Sequence, residues 1–245
     1  MTGRWPRAIF YDSKTTLFDW AWSWRTAAER IVATHGNKAD VDAFYEDWVV
    51  LFEGCHRRAA FSRYADLTRH IETALGYAYR MHGITGDPAK DVRIYLDLQK
   101  DVQPFPEVVD ALQEQRALGV KIIIFSDVET EYIEGYVSKL RGFRPDFVGS
   151  TEQARVHKPN PRVYAWVLKQ VGLDPGDVIY CAAPQFDIQG ALACGIRTAW
   201  LRRAAGKLGN RNITFQAADA APDYEIEDLH QLTSLLRANL HPAAV

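Results

Sequence analysis

The chain has 245 residues, of which 47% are hydrophobic and 24% are charged, so it can bury a large apolar core without a metal or disulfide staple. Its 29 basic and 31 acidic residues leave a formal net charge of −2, which excludes a global field suited to nucleic acid or anionic lipid. No apolar run approaches the ~18 residues that a membrane-spanning helix needs. We therefore expect neither a nucleic-acid partner nor a membrane partner.

The three cysteines indicate the redox compartment. Cys55, Cys181 and Cys194 are odd in number, widely separated and without a CxxC pair, a pattern typical of reduced thiols rather than of a disulfide framework. The stretch MTGRWPRAIFYD also lacks the apolar core of a signal peptide. The sequence thus predicts a cytoplasmic protein.

Four short apolar runs predict buried parallel strands, each followed by a loop and by helical periodicity. They are AIFY (8–11), KIIIF (121–125), VIYCAA (178–183) and TAWL (198–201). The pattern indicates an α/β fold with a doubly wound, mostly parallel, Rossmann-like sheet. Because ligands collect at the carboxyl ends of such strands, we expect Asp12, Ser126 and the turn 184–187 to converge on one crevice.

A long segment separates the first two predicted strands. Residues 19–98 are rich in aromatic residues and show helical patterns, including a helix end at Gly83 followed by Pro88. The segment is too long for a crossover, so it predicts an inserted helical cap. The core would comprise residues 1–18 and 99–245, and it would resume near a helix at 104–119 that Gly119 closes.

Four side chains stand beyond predicted strands or at helix starts: Asp12, Ser126, Lys158 and Asp187. A carboxylate at a strand end can be a covalent nucleophile, a metal ligand or a cap. A nucleophilic carboxylate needs a cation that keeps it ionised, donors that orient it and a group that activates water. Lys158, Thr16 with Ser126, and Asp187 can fill these roles, so we predict that Asp12, Lys158 and Asp187 are catalytic.

These residues lie in segments that resemble the four motifs of the haloacid dehalogenase superfamily, and within it the L-2-haloacid dehalogenase branch. The segments are YDSKTTLFD, IIIFSD, HKPNPRVY and YCAAPQFDIQGALACGIRTAWLRR. The resemblance implies that Asp12 attacks a substrate carbon and that water then hydrolyses the covalent ester. It also implies a homodimer, an expectation that the aromatic-rich insertion supports.

Two departures from the superfamily pattern argue against a phosphatase. Phosphatases carry a second aspartate two residues after the nucleophile, where this chain has Lys14, and an acidic Mg²⁺ ligand at a position that Ala183 occupies here. One hard oxygen ligand is thus missing from the magnesium site. We expect a metal-independent hydrolase without a cofactor.

Two further departures concern the leaving group. In the dehalogenase branch a cap arginine and an asparagine cradle the halide, and the matching positions here are Trp48 and Asp127. A carboxylate repels a halide, and an aromatic face attracts ammonium by ~0.5–2 kcal/mol. Because the family includes hydrolases that open L-azetidine-2-carboxylate, the resemblance favours that substrate. Attack of Asp12 on C2 would then yield 2-hydroxy-4-aminobutyrate.

The remaining predicted contacts concern a small carboxylate substrate. Ser13, Thr16 and Ser126 would lie beside it, and Lys14 would pair with its carboxylate if it points inward, or would be a surface lysine if it points outward. Tyr164 matches a family tyrosine near the active site, and a core aromatic is an equal alternative.

Three alternative functions remain open at this point. The first is a 2-haloacid dehalogenase in which Arg57 or Arg58 lines the halide pocket. The others are a metal-dependent phosphatase and a non-catalytic binding protein that reuses the fold.

Overall fold

The computed structural model describes residues 6–35, 38–203 and 221–240. Its sheet has six parallel strands in the order β3-β2-β1-β4-β5-β6. The strands are β1 (Ala8–Tyr11), β2 (Lys121–Ser126), β3 (Phe147–Ser150), β4 (Val178–Ala182), β5 (Arg197–Leu201) and β6 (Tyr224–Ile226). This architecture confirms the predicted α/β fold with a doubly wound, parallel sheet.

Helices account for most of the remaining described chain. They are α1 (Ala21–Thr34), α2 (Val41–Ala59), α3 (Leu67–His82), α4 (Pro88–Leu98), α5 (Val108–Ala117), α6 (Thr130–Val137), α7 (Thr151–Ala154), α8 (Pro161–Val171), α9 (Gln185–Leu192) and α10 (Leu229–Leu240). Two short 3₁₀ turns, Gln99–Asp101 and Pro175–Asp177, join α4 to the core and precede β4. No helix in these described segments is long and apolar enough to cross a membrane.

The central strands are apolar throughout because both faces of the sheet are covered. In β1, Ile9 and Tyr11 pack into one hydrophobic cluster, whereas Ala8 and Phe10 pack into another on the opposite face. This alternation follows from the two-residue period of a strand. All four side chains are buried.

All four predicted strands are confirmed within one residue at each end. The sequence analysis missed β3 and β6, which lie at the two edges of the sheet. These strands have four and three residues, and their first residues are partly exposed, so they lack the long buried run that marks a central strand. Gly83 ends α3 with a left-handed φ of 63°, as predicted, whereas α5 begins at Val108 rather than at Pro104.

Helices α1 to α4 form the insertion between β1 and β2, and they pack on one another in the pairs α1–α2, α2–α3, α3–α4 and α1–α4. Edge-to-face and tilted aromatic contacts fill their interior, among them Trp20–Trp24 at 5.2 Å and Trp24–Trp48 at 4.6 Å between ring centroids. The division into a core (1–18 and 99–245) and a cap (19–98) stays a proposal.

The strand order sets the place of the site. β1 lies between β2 and β4, and the order of strands along the chain reverses there. Side chains that follow the carboxyl ends of these three strands therefore meet at a topological switch point, where ligands bind in open α/β sheets.

We predict that Gly190→Ala destabilises the protein. A Cβ at Gly190 would lie 2.6 Å from the Tyr164 hydroxyl oxygen and 2.8 Å from the Pro159 carbonyl oxygen. Such overpacking costs about 1–3 kcal/mol in the free energy of unfolding, measurable by urea denaturation.

Gly135→Ala is the matched control. It lies on an exposed part of α6 with no atom within 4 Å of the added Cβ, so alanine there should be neutral or stabilising by up to about 1 kcal/mol. Equal destabilisation in both variants would contradict the packing argument.

Candidate active site

Asp12 directly follows β1, and its backbone N–H donates to the Cys181 carbonyl of β4 at 3.1 Å. The chain then turns sharply, with Thr15 at a left-handed φ of 60° and the Leu17 N–H donating to the Ser13 carbonyl at 2.8 Å. This turn brings Thr16 back over Asp12, where its hydroxyl donates to Asp12 Oδ2 at 2.9 Å. The turn therefore orients the carboxylate.

Lys158 joins two buried carboxylates. Its Nζ donates to Asp12 Oδ1 and to Asp187 Oδ2, both at 2.8 Å, and the residue is 1% exposed. Burial disfavours the ammonium, but the attraction of Asp12 and Asp187 outweighs burial and raises the pKa of Lys158. The structure thus brings the three predicted catalytic residues together.

The loop that carries Lys158 is held on both sides. Asn160 caps α8, because its side-chain oxygen accepts from the Arg162 N–H at 3.0 Å, and Pro161 occupies the first turn of that helix. The Asn160 side-chain amide also donates to the Ala60 carbonyl at 2.8 Å, at the end of α2. Lys158 is therefore a positioned side chain.

Asp187 lies in the first turn of α9. Its Oδ2 accepts from Lys158 and, at 2.9 Å, from the Tyr180 hydroxyl, whereas its buried Oδ1 has no hydrogen-bond partner in the described chain. Burial raises the pKa of Asp187 to about 7, and the Lys158 ammonium only partly opposes this shift. A carboxylate with one free oxygen and a pKa near neutrality suits a general base.

Tyr164 contacts the backbone of Asp187. Its hydroxyl donates to the Asp187 backbone carbonyl at 3.0 Å, and its side chain is fully buried in the hydrophobic cluster between the sheet and α8. Its contacts are those of a core aromatic that positions the start of α9. The predicted substrate contact of Tyr164 stays a prediction.

Ser13, Ser126 and Lys14 lie on the neighbouring side of Asp12. The Ser13 hydroxyl donates to the Ser126 hydroxyl at 2.5 Å, and both residues are fully buried. Lys14 points inward, with its Nζ 4.3 Å from the centroid of the Trp20 ring. Burial lowers the pKa of Lys14 to about 8, although Glu129, Asp127 and Asp12 partly oppose the shift.

Asp127 is buried between two histidines rather than facing solvent. Its Oδ1 lies 3.2 Å from His157 Nδ1 and accepts from the Lys158 backbone N–H at 3.2 Å, and its Oδ2 lies 3.2 Å from His56 Nε2. Burial acts to raise the pKa of Asp127, but His56 and His157 outweigh it and hold that pKa well below its ordinary value. Asp127 is therefore an ionised carboxylate beside the catalytic residues.

The sequence analysis missed both histidines. His157 stands beside Lys158 in the third motif, so its place in the sequence was a usable signal. His56 carries no such signal, because it belongs to α2 of the insertion and reaches Asp127 only through the packing of that helix.

Trp48 does not take the place proposed for it beside the leaving group. Its ring packs against Trp24 and Tyr95, and its indole N–H donates to the Ile71 carbonyl at 3.3 Å, so it belongs to the aromatic interior of the insertion. The residue of α2 that contacts Asp127 is His56, eight positions later on the same helix. The match by segment length thus did not identify the α2 residue that contacts Asp127.

Neither arginine considered for a halide pocket is buried at the site. Arg57 pairs with Glu53 at 3.0 Å and has a side chain that is 48% exposed. Arg58 is exposed, and its guanidinium lies 3.8 Å from Cys55 Sγ.

Ala183 supplies backbone groups to the site. Its N–H donates to the Thr16 hydroxyl at 2.9 Å, and its carbonyl accepts from the Trp200 indole at 3.0 Å. The Lys158 ammonium bridges Asp12 and Asp187. Hydrolysis without a metal remains our prediction for this centre. The three cysteines are free thiols.

Comparison with known proteins places this arrangement in a family. Residues 15–201 match the family model of haloacid dehalogenase-like hydrolases. An (S)-2-haloacid dehalogenase of Pseudomonas sp. strain YL is 29% identical over 180 residues, which cover 73% of this chain and 74% of that protein. An (S)-2-haloacid dehalogenase of Pseudomonas putida is 24% identical over 232 residues, covering 94% and 96%.

A solved structure shows the same fold. The L-2-haloacid dehalogenase from Xanthobacter autotrophicus with chloropropionic acid covalently bound has a TM-score of 0.74 at 23% identity, covering 95% of this chain and 98% of that one. The chain belongs to the haloacid dehalogenase-like hydrolases.

Proposed function

We propose that this hydrolase converts a small (S)-2-halocarboxylic acid to a 2-hydroxy acid through an ester on Asp12. The observation that carries the proposal is the buried Asp12–Lys158–Asp187 arrangement, in which one ammonium bridges a nucleophile and a base. Both relatives named above are (S)-2-haloacid dehalogenases, which favours halide over our expected ammonium as the leaving group.

In the first step a carboxylate oxygen of Asp12 attacks C2 of the substrate. The new C–O bond forms as the carbon–halogen bond breaks, and the halide leaves with the bonding electron pair. The Thr16 hydroxyl and Lys158 Nζ hold Asp12 in one orientation, which lowers the entropic cost of reaching the reactive geometry.

In the second step water attacks the carbonyl carbon of the Asp12 ester. Asp187 Oδ1, which has no hydrogen-bond partner in the described chain, accepts a proton from that water. Cleavage of the ester restores the Asp12 carboxylate and releases the 2-hydroxy acid. The sum consumes one water and yields halide and one proton.

Lys14 is the proposed partner of the substrate carboxylate. Its ammonium is buried over Trp20, and no hydrogen bond to its Nζ occurs among residues 6–35, 38–203 and 221–240. A buried ammonium without a hydrogen-bond acceptor is costly, so a carboxylate ligand would stabilise it. Ser13, between Asp12 and Lys14 in the chain, has its hydroxyl paired with that of Ser126.

The charge of Asp127 is unfavourable for a halide leaving group. Two unit charges 4 Å apart at an effective dielectric of about 20 repel by about 4 kcal/mol. His157 offsets part of this repulsion, because its contact with the carboxylate raises the pKa of the imidazole despite the opposing effect of burial. The leaving group would thus meet a carboxylate already paired with histidine.

The same residue supports a second candidate, the ring opening of L-azetidine-2-carboxylate. An ionised, buried carboxylate favours a departing ammonium group, and Asp127 provides one. The aromatic contribution expected from Trp48 is missing from this argument, because Trp48 packs inside the insertion. We therefore rank ring opening below dehalogenation.

Incubation of the purified protein with L-2-chloropropionate and, separately, with L-azetidine-2-carboxylate distinguishes the two reactions. We expect chloride release from the first substrate and no new primary amine from the second. Primary amine without chloride would reverse the ranking, and inactivity toward both would leave phosphate esters, tested with and without EDTA, as the substrates to examine.

We predict that Asp12→Asn lowers kcat by a factor of about 10⁴ or more, because the variant lacks the nucleophile. In H₂¹⁸O, single turnover of the wild-type enzyme should place label on Asp12, detected by mass spectrometry of its peptide. Label confined to the product would contradict the ester, since it would show direct attack by water.

We predict that ester hydrolysis slows at acid pH, where Asp187 takes up a proton and can no longer act as a base. The pKa of Asp187 is about 7 in the free site, and esterification removes the Asp12 charge that helps to raise it, so the midpoint should lie below 7. Well below that pH the rate should drop about tenfold per pH unit. Quenched-flow measurement of ester decay between pH 5.5 and 9 tests this. A flat profile, or an unchanged profile in Asp187→Asn, would remove Asp187 from the role of base.

We predict that Asp127→Asn raises kcat/KM for L-2-chloropropionate by about tenfold, because it removes roughly 1.4 kcal/mol of repulsion toward the departing halide. The assay contains EDTA, and Asp47→Asn, a half-exposed carboxylate paired with His82, is the control. A tenfold fall for chloropropionate together with activity on the azetidine substrate in the wild type would favour the ammonium leaving group instead.

A further inference from the structure

A buried group of metal-ligating side chains lies beside the catalytic lysine. His56 on α2, Asp127 after β2 and His157 before α8 each direct one potential ligand atom to a common point, and these atoms all lie within 4.8 Å of one another. We call this group the His–Asp–His cluster. Its members are separate from Asp12 and Asp187, which Lys158 bridges.

One ring nitrogen of His157 is fixed by the backbone, and the other faces Asp127. His157 Nε2 lies 2.8 Å from the Ala65 carbonyl oxygen, and since a carbonyl only accepts, Nε2 carries the proton. Nδ1 faces Asp127 Oδ1 at 3.2 Å and the Thr151 hydroxyl at 3.5 Å, so an ion bound here would replace the proton that Nδ1 shares with Asp127. A backbone carbonyl that fixes the ring in this way is the usual companion of a metal-ligating histidine.

His56 supplies a second, independent indication. Its Nε2 is buried and has no hydrogen-bond partner in the described part of the chain, although Asp127 Oδ2 lies 3.2 Å away in a poorly aligned direction. The residue is 5% exposed. A buried polar atom without a partner is rare in folded proteins, and an unseen ion is one of its ordinary explanations.

The spacing of the cluster approaches that of a tetrahedral metal site. With metal–ligand bonds of about 2.0–2.1 Å, ligand atoms at the corners of a tetrahedron lie about 3.3 Å apart. Asp127 Oδ2 lies 3.2 Å from His56 Nε2, and Asp127 Oδ1 lies 3.2 Å from His157 Nδ1. One ligand atom from each residue gives a set within 4.8 Å, so the ligands would draw together by up to about 1.5 Å around an ion. The Lys158 backbone N–H holds Asp127 Oδ1 in place from the far side, at 3.2 Å.

We propose that the His–Asp–His cluster binds one divalent transition-metal ion, of which Zn²⁺ is the best match. Two imidazoles and one carboxylate are a ligand set that zinc accepts, and three protein ligands leave a fourth position for water or an anion. The ion would join α2 of the insertion to the two loops at the carboxyl edge of the sheet. It would also change the formal charge of the cluster, with neutral histidines, from −1 to +1.

The proposed metal site does not rest on the proposed reaction, so metal binding to the protein tests it directly. The full chain, stripped with EDTA and dialysed, is titrated with Co²⁺ while visible absorption is recorded, and with Zn²⁺ by calorimetry. We expect one ion per chain, the intense bands of tetrahedral Co²⁺, and a rise in Tm with Zn²⁺, because a ligand that binds the folded state stabilises it.

Variants locate the ion. His56→Gln should weaken Zn²⁺ binding by about 100-fold or more, since the loss of outer-shell partners alone costs 10–100-fold. His82→Gln is the matched control, because His82 Nε2 lies 2.9 Å from Asp47 in a pair without a second histidine. The Zn²⁺ affinity of this variant should equal that of the wild-type protein. Asp12→Asn should also retain binding, which would separate the ion from the catalytic carboxylates.

Three results would overturn the proposal. They are the absence of tetrahedral Co²⁺ bands in the wild-type chain, an unchanged affinity in His56→Gln, and loss of binding in Asp12→Asn. The Co²⁺ spectrum of the wild-type chain decides the matter even if His56→Gln fails to fold.

Discussion

The site depends on one buried ammonium shared by two carboxylates. Taking a carboxylate out of water costs several kcal/mol unless a partner compensates it, and Lys158 compensates Asp12 and Asp187 at once. The formal sum of these three charges is −1. Burial of this residual charge explains why Asp187 has a pKa of about 7, and hence why a single aspartate can exchange protons near neutrality.

The sheet and the insertion supply different parts of the site. Adjacent parallel strands carry Asp12 and the start of α9, so the distance between nucleophile and base follows from the register of β1 with β4. The insertion contributes His56 and, just before α1, the Trp20 ring that lies against Lys14. The sheet thus supports the nucleophile and base, whereas the insertion shapes their surroundings.

The surroundings of Asp127 are where this chain departs most from the pattern it resembles. Asp127 is a third buried carboxylate beside Lys158, and two histidines rather than an arginine accompany it. The net charge around Asp127 depends on whether His56 and His157 bind a proton or a metal ion. A proton, a metal ion or neither would give the leaving group a different electrostatic environment, while the Asp12–Lys158–Asp187 arrangement stays the same.

The sequence by itself determined the central strands and that Asp12, Lys158 and Asp187 meet at one site. Strands buried on both faces need continuous apolar runs, and Asp12, Lys158 and Asp187 stand at the ends of such runs or at a capped helix start, so local pattern was sufficient. The short edge strands β3 and β6 lacked that pattern because they are partly solvated.

Only the tertiary structure decided which residue of α2 reaches the site. Trp48, Phe52 and His56 follow one another at four-residue spacing, and the Phe52 and His56 rings stack at 5.5 Å, so the sequence could not tell which of them ends the row beside Asp127. The packing of α2 against α1 and α3 placed Trp48 in the aromatic interior and His56 at the carboxylate. The contact joins residues 71 positions apart, and long-range packing of that kind leaves no periodic trace in the chain.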